Sequence, residues 1–538
     1  MTGGGGLTNV SGIVAIAVYI VVMLGIGVWA MRKTRSVGDF FLGGRTIGPW
    51  MSAFAYGTTY FSAVLFIGYA GKLGWGYGLN TMWIVAGNVL LGSLVAWWML
   101  GKRTREMTFR LNAMTMPAFL AERYKSPALK VAAALLIFIF LVPYSAGVYK
   151  GLNFLFQEGL GISELHAMLL LAGLTGLYLV MGGYFAVTLS DFIMGLMMIF
   201  GVVAMLGTLT GNAGGLINTT RLIAQGEATA PFMKAIMPGG IPGWLLLASL
   251  VVITSIGPWG LPQMVQKFYS IKNSAQIKRA MIVATLFALV ITFGGYYTGA
   301  LTHLDIPKAG TTVEAGAPIG YTSATELPVV TGPDGAPVLN EAGKPTVVWD
   351  RWMPVYLAQR LPNWIMTVIV LLVMSASMST LSSLILVSSS SIAMDLYAGV
   401  LKPAVERKSV LVMMRVMCGV FVALSLYLAL KSPAQIITLM VISWSVLAGA
   451  FAAPYIYGLF WKRANAAGAA AGLVSGVAIA AVLAWVLGDP GITPSDPGVP
   501  VGGAVAILAP FIIVPVVTLI TRAMPKEHVD KVFAKDTE

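Results

Sequence analysis

Residues Ser375 to Ser391 read SASMSTLSSLILVSSSS inside a long apolar segment, and ten of these seventeen residues are serine or threonine. Ser379 and Ser383 are four apart, as are Ala376 and Thr380, and Ser382 follows Ser379 by three. On a helix these positions occupy adjoining ridges of one face, so several uncharged oxygens converge on one point. Such oxygens, gathered inside a membrane, suit a small hard cation stripped of its water.

Outward from this stretch, the rest of the chain reads as membrane protein. Of 538 residues, 57% are hydrophobic and 10% charged, against about 25% charged in a soluble protein. Apolar runs long enough to cross a ~30 Å hydrocarbon core recur from end to end. The runs predict an all-α integral membrane domain with thirteen spans. They fall near 11–31, 50–71, 81–101, 131–157, 164–181, 186–209, 243–266, 280–302, 364–394, 410–430, 434–460, 466–487 and 502–521. The first follows an uncharged, glycine-rich start and reads as a retained helix, not a cleaved signal.

The net charge of +13 does not indicate nucleic-acid binding, because its distribution follows topology. With the N-terminus outside, 24 of the 34 lysines and arginines, Arg123 and Lys267 among them, fall on cytosolic loops and the tail. The outer loops carry eight, including Lys72. This positive-inside bias predicts a multi-pass plasma-membrane protein, in a bacterium the inner membrane, with the N-terminus out and the C-terminus cytosolic. The lone Cys418 supports no disulfide framework. There is no HExxH pair and no GxxxxGK[ST] run, so neither zinc hydrolysis nor ATP is indicated. An ion gradient drives the protein, or it is a passive pore.

Two spans are interrupted. The second carries Gly57-Thr58-Thr59-Tyr60, and the seventh carries Gly257, Pro258, Gly260 and Pro262, which cannot sustain a regular helix. They stand five spans apart, as expected if each opens one half of an inverted repeat, and paired interruptions of this kind mark a transporter's binding site. Three ionisable residues sit within spans: Asp191, Lys150 and Arg415. Asp191, near the start of the sixth span, lies at the depth of Ser379 to Ser383 and supplies the negative charge a cation site needs. Lys150 and Arg415 are close enough to span ends to snorkel. Ser388 to Ser391 read as packing or helix-end residues. In the outer loop 303–363, a Pro333-Asp334-Gly335 turn between Val329-Val330 and Val347-Val348-Trp349 predicts a small hairpin, and Arg351 to Arg360 a short surface helix; the loop is a candidate outer lid.

Six stretches in order resemble the sodium/solute symporter family across nearly the whole chain. They are Asp39-Phe40-Phe41-Leu42-Gly43-Gly44-Arg45, GTTYFSAVLFIGYAG from Gly57, YLVMGGYFAVTLSD ending at Asp191, GLPQMVQKFYS from Gly260, MSTLSS from Met378, and Gly458-Leu459-Phe460-Trp461-Lys462-Arg463 with Gly468-Ala469 and Gly472. Ser475 departs from the last of these signatures.

The resemblance implies the leucine-transporter type fold with five-plus-five inverted repeats. It divides the chain into 1–49 (an extra N-terminal helix and loop), 50–209 (first repeat), 243–460 (second repeat) and 461–538 (C-terminal helices and a short tail). It implies one sodium site at Thr58, Phe61, Ala376, Ser379 and Thr380, and a second at Asp191, Ser379, Ser382 and Ser383. Implied solute contacts are Thr59, Tyr60, Ser62 and Ala63 on the second span, with Pro258 and Trp259 opposite; Trp259 reads equally as a packing aromatic.

Proline-carrying members have an aspartate where this chain has Tyr60, and sugar-carrying members have polar residues at Val64 and Leu65. The T-Y-x-S-A-x-x-F-I-G run is similar to that of pantothenate and monocarboxylate carriers. The expected function is therefore sodium-coupled symport of a small organic anion, by a protein that is not an enzyme. Alternatives are a proton-coupled symporter, a sodium-coupled amino-acid or sugar symporter, and a transporter-like membrane sensor. The expected partners are the solute, Na+ and the lipid bilayer.

Overall fold

The computed structural model describes residues 10–32, 36–160, 162–226, 230–237, 240–308, 319–331, 336–339, 345–431, 435–486 and 498–534. Helices dominate it. Large apolar side chains face outward, Trp98 at 74% and Trp485 at 81% exposure, while every serine and threonine from Ser375 to Ser390 is buried. Large apolar side chains exposed along the helices, around an interior that also holds a run of hydroxyls, are what solvation by lipid permits.

The helices that build the interior are α1 (Val10–Met31), α2 (Pro49–Tyr60), α3 (Pro127–Leu160), α4 (Glu164–Gly211), α5 (Gly243–Ile256), α6 (Pro262–Ser270), α7 (Ile277–Leu301), α8 (Trp349–Arg360), α9 (Asn363–Ser390) and α10 (Ile436–Phe460). Helix α9 packs along α4 and α3 and crosses α2, placing the hydroxyl-rich stretch at the centre of the bundle.

Among the described residues, eleven helices are long and apolar enough to span a membrane, not the thirteen separate helices expected. Two of them run for 47 and 48 residues. At ~1.5 Å per residue each is about twice the length one crossing needs. Both carry a glycine with positive φ, Gly78 (φ 53°) and Gly183 (φ 57°), where the chain turns. At Gly183 a Cβ would lie 2.7 Å from the Phe40 carbonyl oxygen, so the turn before Asp191 requires glycine twice over, by conformation and by space.

The two interrupted spans are broken as expected. Helix α2 stops at Tyr60, Phe61 is extended (φ −108°, ψ 95°), and the chain resumes as a π-wound turn from Val64. Helix α5 stops at Ile256, and α6 begins at Pro262 after a short turn through Gly257–Trp259.

In the outer loop, Val329 pairs antiparallel with Val347 and the 337–339 segment joins alongside. The Pro333-Asp334-Gly335 turn lies outside the described residues. The expected surface helix is α8, and it is not a surface element: Asp350, Trp352, Met353, Tyr356, Leu357 and Arg360 are buried. The Asp350 carboxylate accepts from the Ile436 backbone N–H at 3.0 Å, capping the start of α10. Burial raises the pKa of this carboxyl, which the Ile436 bond and the Lys150 and Lys72 charges partly offset.

Candidate functional site: an oxygen cluster between two broken helices

Ending α2 at Tyr60 deprives its last carbonyls of intrahelical partners. Thr380 of α9 serves two of them, its Oγ1 donating to the carbonyls of Thr58 (3.2 Å) and Thr59 (3.3 Å). One turn along, Thr59 Oγ1 lies 3.0 Å from Ser383 Oγ. The break in α2 and the hydroxyl face of α9 therefore meet, held by hydrogen bonds between helices more than 300 residues apart in sequence.

Asp191 of α4 borders this cluster. It is fully buried, and neither carboxylate oxygen has a hydrogen-bond partner. Ser379 Oγ, also fully buried, is likewise unpartnered. Two carboxylate oxygens and a hydroxyl, buried without hydrogen-bond partners, are a donor set that suits a monovalent cation.

The remaining expected ligands are placed differently. Ser382 Oγ donates back to the Ser379 carbonyl at 2.8 Å. Thr58 Oγ1 donates to Phe54 O at 2.9 Å, so Thr58 has its carbonyl to offer. The Phe61 ring stacks on Tyr60 at 4.1 Å. Ala376 is buried and has only its backbone to offer. Ser389, Ser390 and Ser391 each donate to a carbonyl three or four residues back on their own chain, as packing residues do.

Lys267, expected on a cytosolic loop, is instead fully buried near the end of α6. Its Nζ donates to Ser383 Oγ at 2.9 Å, and its charge interacts with that of Asp191. Arg123, also expected on a loop, is fully buried and donates to the carbonyls of Gly458 (2.8 Å) and Trp461 (3.0 Å). Lys267 reads as a loop residue because it lies one residue past the expected end of the seventh span at 266. The one sequence signal was its place in the GLPQMVQKFYS motif.

On the other side of the α2 break lies a small, partly open cavity. Tyr60 and Ser62, two of the implied solute contacts, line it together with Tyr69, Asn88, Thr254 and Trp444, which sequence reasoning did not select. The Tyr60 hydroxyl donates to Asn88 Oδ1 (3.3 Å) and is in close contact with the Thr254 carbonyl. Ser62 Oγ accepts from Val64 N–H at 3.2 Å, restarting the helix.

The other expected solute contacts are not on this cavity's wall. Thr59 turns toward Ser383, and Ala63 packs against Gly151 of α3. Pro258 is buried, and Trp259 donates Nε1 to the Leu91 carbonyl at 3.0 Å.

An unwound transmembrane helix facing a hydroxyl-bearing one, with a buried carboxylate and an adjacent cavity, is the core of a leucine-transporter type carrier. The chain belongs to the sodium:solute symporter family, whose model matches residues 40–327 and 329–476. It is a multi-pass membrane protein of a transporter family, not of an enzyme family. A sodium/pantothenate symporter of Escherichia coli (strain K12) is 30% identical over 88% of this chain and 90% of its own length. An osmoregulated proline transporter of Bacillus subtilis (strain 168) is 26% identical, covering 88% of each. The fold matches the outward-open structure of a Na+-coupled sialic acid symporter with a TM-score of 0.71 at 17% identity, over 95% of this chain and 98% of that one.

Proposed function

We propose that the protein takes up a small organic anion, a monocarboxylate or pantothenate, by symport with sodium. The observation that carries this reading is the pairing of unpartnered Asp191 and Ser379 oxygens with the Thr380 bridge to the α2 break. Sodium at the first site is held by the Thr58 and Phe61 carbonyls, Ala376, Ser379 and Thr380. A second ion is held by Asp191, Ser379, Ser382 and Ser383, with Lys267 competing for Ser383. Because ion and solute both prefer the state in which the break and α9 are joined, each raises the other's affinity. Residues 50–209 and 243–460 act as the two repeats, with the N-terminus outside and the C-terminus in the cytosol of a bacterial cell.

The solute class is supported by the cavity wall. Among the described residues no charged side chain lines it, so it offers neither a carboxylate to an ammonium group nor a cation to a carboxylate, and recognition falls to neutral donors. Tyr69 OH and Trp444 Nε1 are buried donors without partners, which suit a carboxylate oxygen. The name of the Escherichia coli pantothenate relative points the same way.

The test is uptake into proteoliposomes of a panel comprising pantothenate, short monocarboxylates, proline and a hexose, with sodium or choline outside at fixed pH. Accumulation of an anion in sodium alone is expected, and Ser379→Ala is expected to raise the sodium half-saturation about tenfold, or ~1.4 kcal/mol. Equal uptake in choline sinks sodium coupling and favours protons acting through Asp191. Binding without accumulation favours a sensor.

A further inference from the structure

A second buried carboxylate lies further along the same helix. Beyond Ser390, α9 continues in a wider, π-wound stretch from Ser391 to Leu401, and such stretches concentrate at functional positions. This one carries Asp395, only 2% exposed. Its Oδ1 accepts from Thr115 Oγ1 at 2.8 Å. Its Oδ2 is buried with no hydrogen-bond partner. Lys130 acts on the carboxylate electrostatically but does not bond to Oδ2.

Asp395 lines a small cavity, with room for about one water-sized guest, together with Gln266, Tyr269, Ser390 and Ser391. The orientation of these groups is selective. Gln266 donates its Nε2 to the Phe41 carbonyl at 3.0 Å, leaving Oε1 buried and unpartnered. Ser390 and Ser391 donate their protons to Val387 O (2.8 Å) and Ser388 O (2.7 Å), so only lone pairs remain on their oxygens. The buried Tyr269 hydroxyl is unpartnered.

Asp395 Oδ2, Gln266 Oε1, Ser390 Oγ and Ser391 Oγ turn lone pairs toward the cavity, and of these five groups the Tyr269 hydroxyl is the one with a proton to give. A hard cation satisfies these lone pairs, and one formal negative charge among neutral oxygens matches a monovalent ion, since divalent sites gather several carboxylates. The cavity also continues the oxygen cluster. Gln266 adjoins Lys267 in sequence, and Ser390 is seven residues past Ser383, about 10 Å along the helix.

We infer that the Asp395 cavity is a further monovalent-cation site, distinct from the two proposed above, at which sodium pauses on its way from the Asp191 cluster to the cytosol. This rests on the sodium-coupled reading and on the inward direction of α9.

Radiolabelled sodium binding to the purified full-length protein tests it, with wild type, Asp395→Asn, Asp395→Glu and Thr115→Val compared at saturating sodium. Asparagine keeps an Oδ1 acceptor for Thr115 and removes the charge; valine removes the Thr115 bond and leaves Oδ2 intact. Asp395→Asn is expected to bind one ion fewer per chain, with the half-saturation of the remainder within twofold of wild type. Asp395→Glu and Thr115→Val are expected to keep the wild-type number. Unchanged binding by Asp395→Asn overturns the inference, and so does an equal loss in Thr115→Val, which assigns Asp395 to holding Thr115. No sodium binding by wild type above choline is a different failure, that of the sodium reading itself.

Discussion

The two broken spans look alike in sequence and do different work. In the first, the residues at the break turn polar groups toward other elements: Thr58, Thr59 and Tyr60 offer carbonyls and hydroxyls to α9 and to the cavity. In the second, the residues at the break are packing. A Cβ on Gly260 would lie 2.6 Å from the backbone nitrogen of Ala452, and one on Gly257 3.2 Å from the Trp444 ring. The chemistry moves to its flanks, with Thr254 lining the cavity before it and Lys267 reaching Ser383 after it. A break frees backbone groups, and whether they serve a ligand or a neighbouring helix depends on what packs against them.

The largest effect expected from this comparison is at Lys267. Lys267→Met removes the charged hydrogen bond to Ser383 and the ammonium whose field acts on Asp191, and is expected to cost about 1.5–3 kcal/mol, measured by thermal unfolding of the detergent-purified protein. Adding Asp191→Asn is expected to recover at least ~1 kcal/mol of that loss. A strictly additive pair would break the assignment of the α6 flank to the ion cluster.

Gly260→Ala comes next. The added Cβ pushes on the backbone of α10 and is expected to cost about 1–3 kcal/mol, with the solute half-saturation unchanged in the protein that does assemble. Unchanged melting with weakened solute binding would instead make the second break a solute contact.

The smallest expected effect separates the two aromatics. Tyr60→Phe removes the hydroxyl that joins Asn88 and Thr254 across the cavity, and is expected to raise the solute half-saturation about fivefold, ~1 kcal/mol. Trp259→Phe loses a bond to the Leu91 carbonyl outside the cavity and should change it less than twofold. Reversal of that order in the uptake assay would restore Trp259 as a solute contact.

Much of this architecture was legible in the chain, because a bilayer leaves few options for an apolar run of twenty residues. The broken spans, the hydroxyl-rich stretch and Asp191 each stood out as exceptions to apolar composition. Lys267 did not, because a lysine just past a predicted span end is the ordinary appearance of a loop; all nine residues of α6 are nevertheless buried. Asn88 and Thr254 were equally unremarkable, single polar residues in spans whose interior face is set by neighbours. Asp395 went unselected for the same reason as Lys267, lying at the expected end of its span.

The serines of residues 375–391 divide what the chain alone determined from what the tertiary structure decided. Composition and spacing determined that the segment is a membrane helix with an oxygen-rich face. They did not distinguish Thr380, which reaches another helix, from Ser389, which bonds to its own carbonyl at Ile385. Helical period specifies which residues share a face; a hydroxyl turns outward only where the neighbouring helix presents an unpaired acceptor, and that acceptor exists because α2 ends at Tyr60.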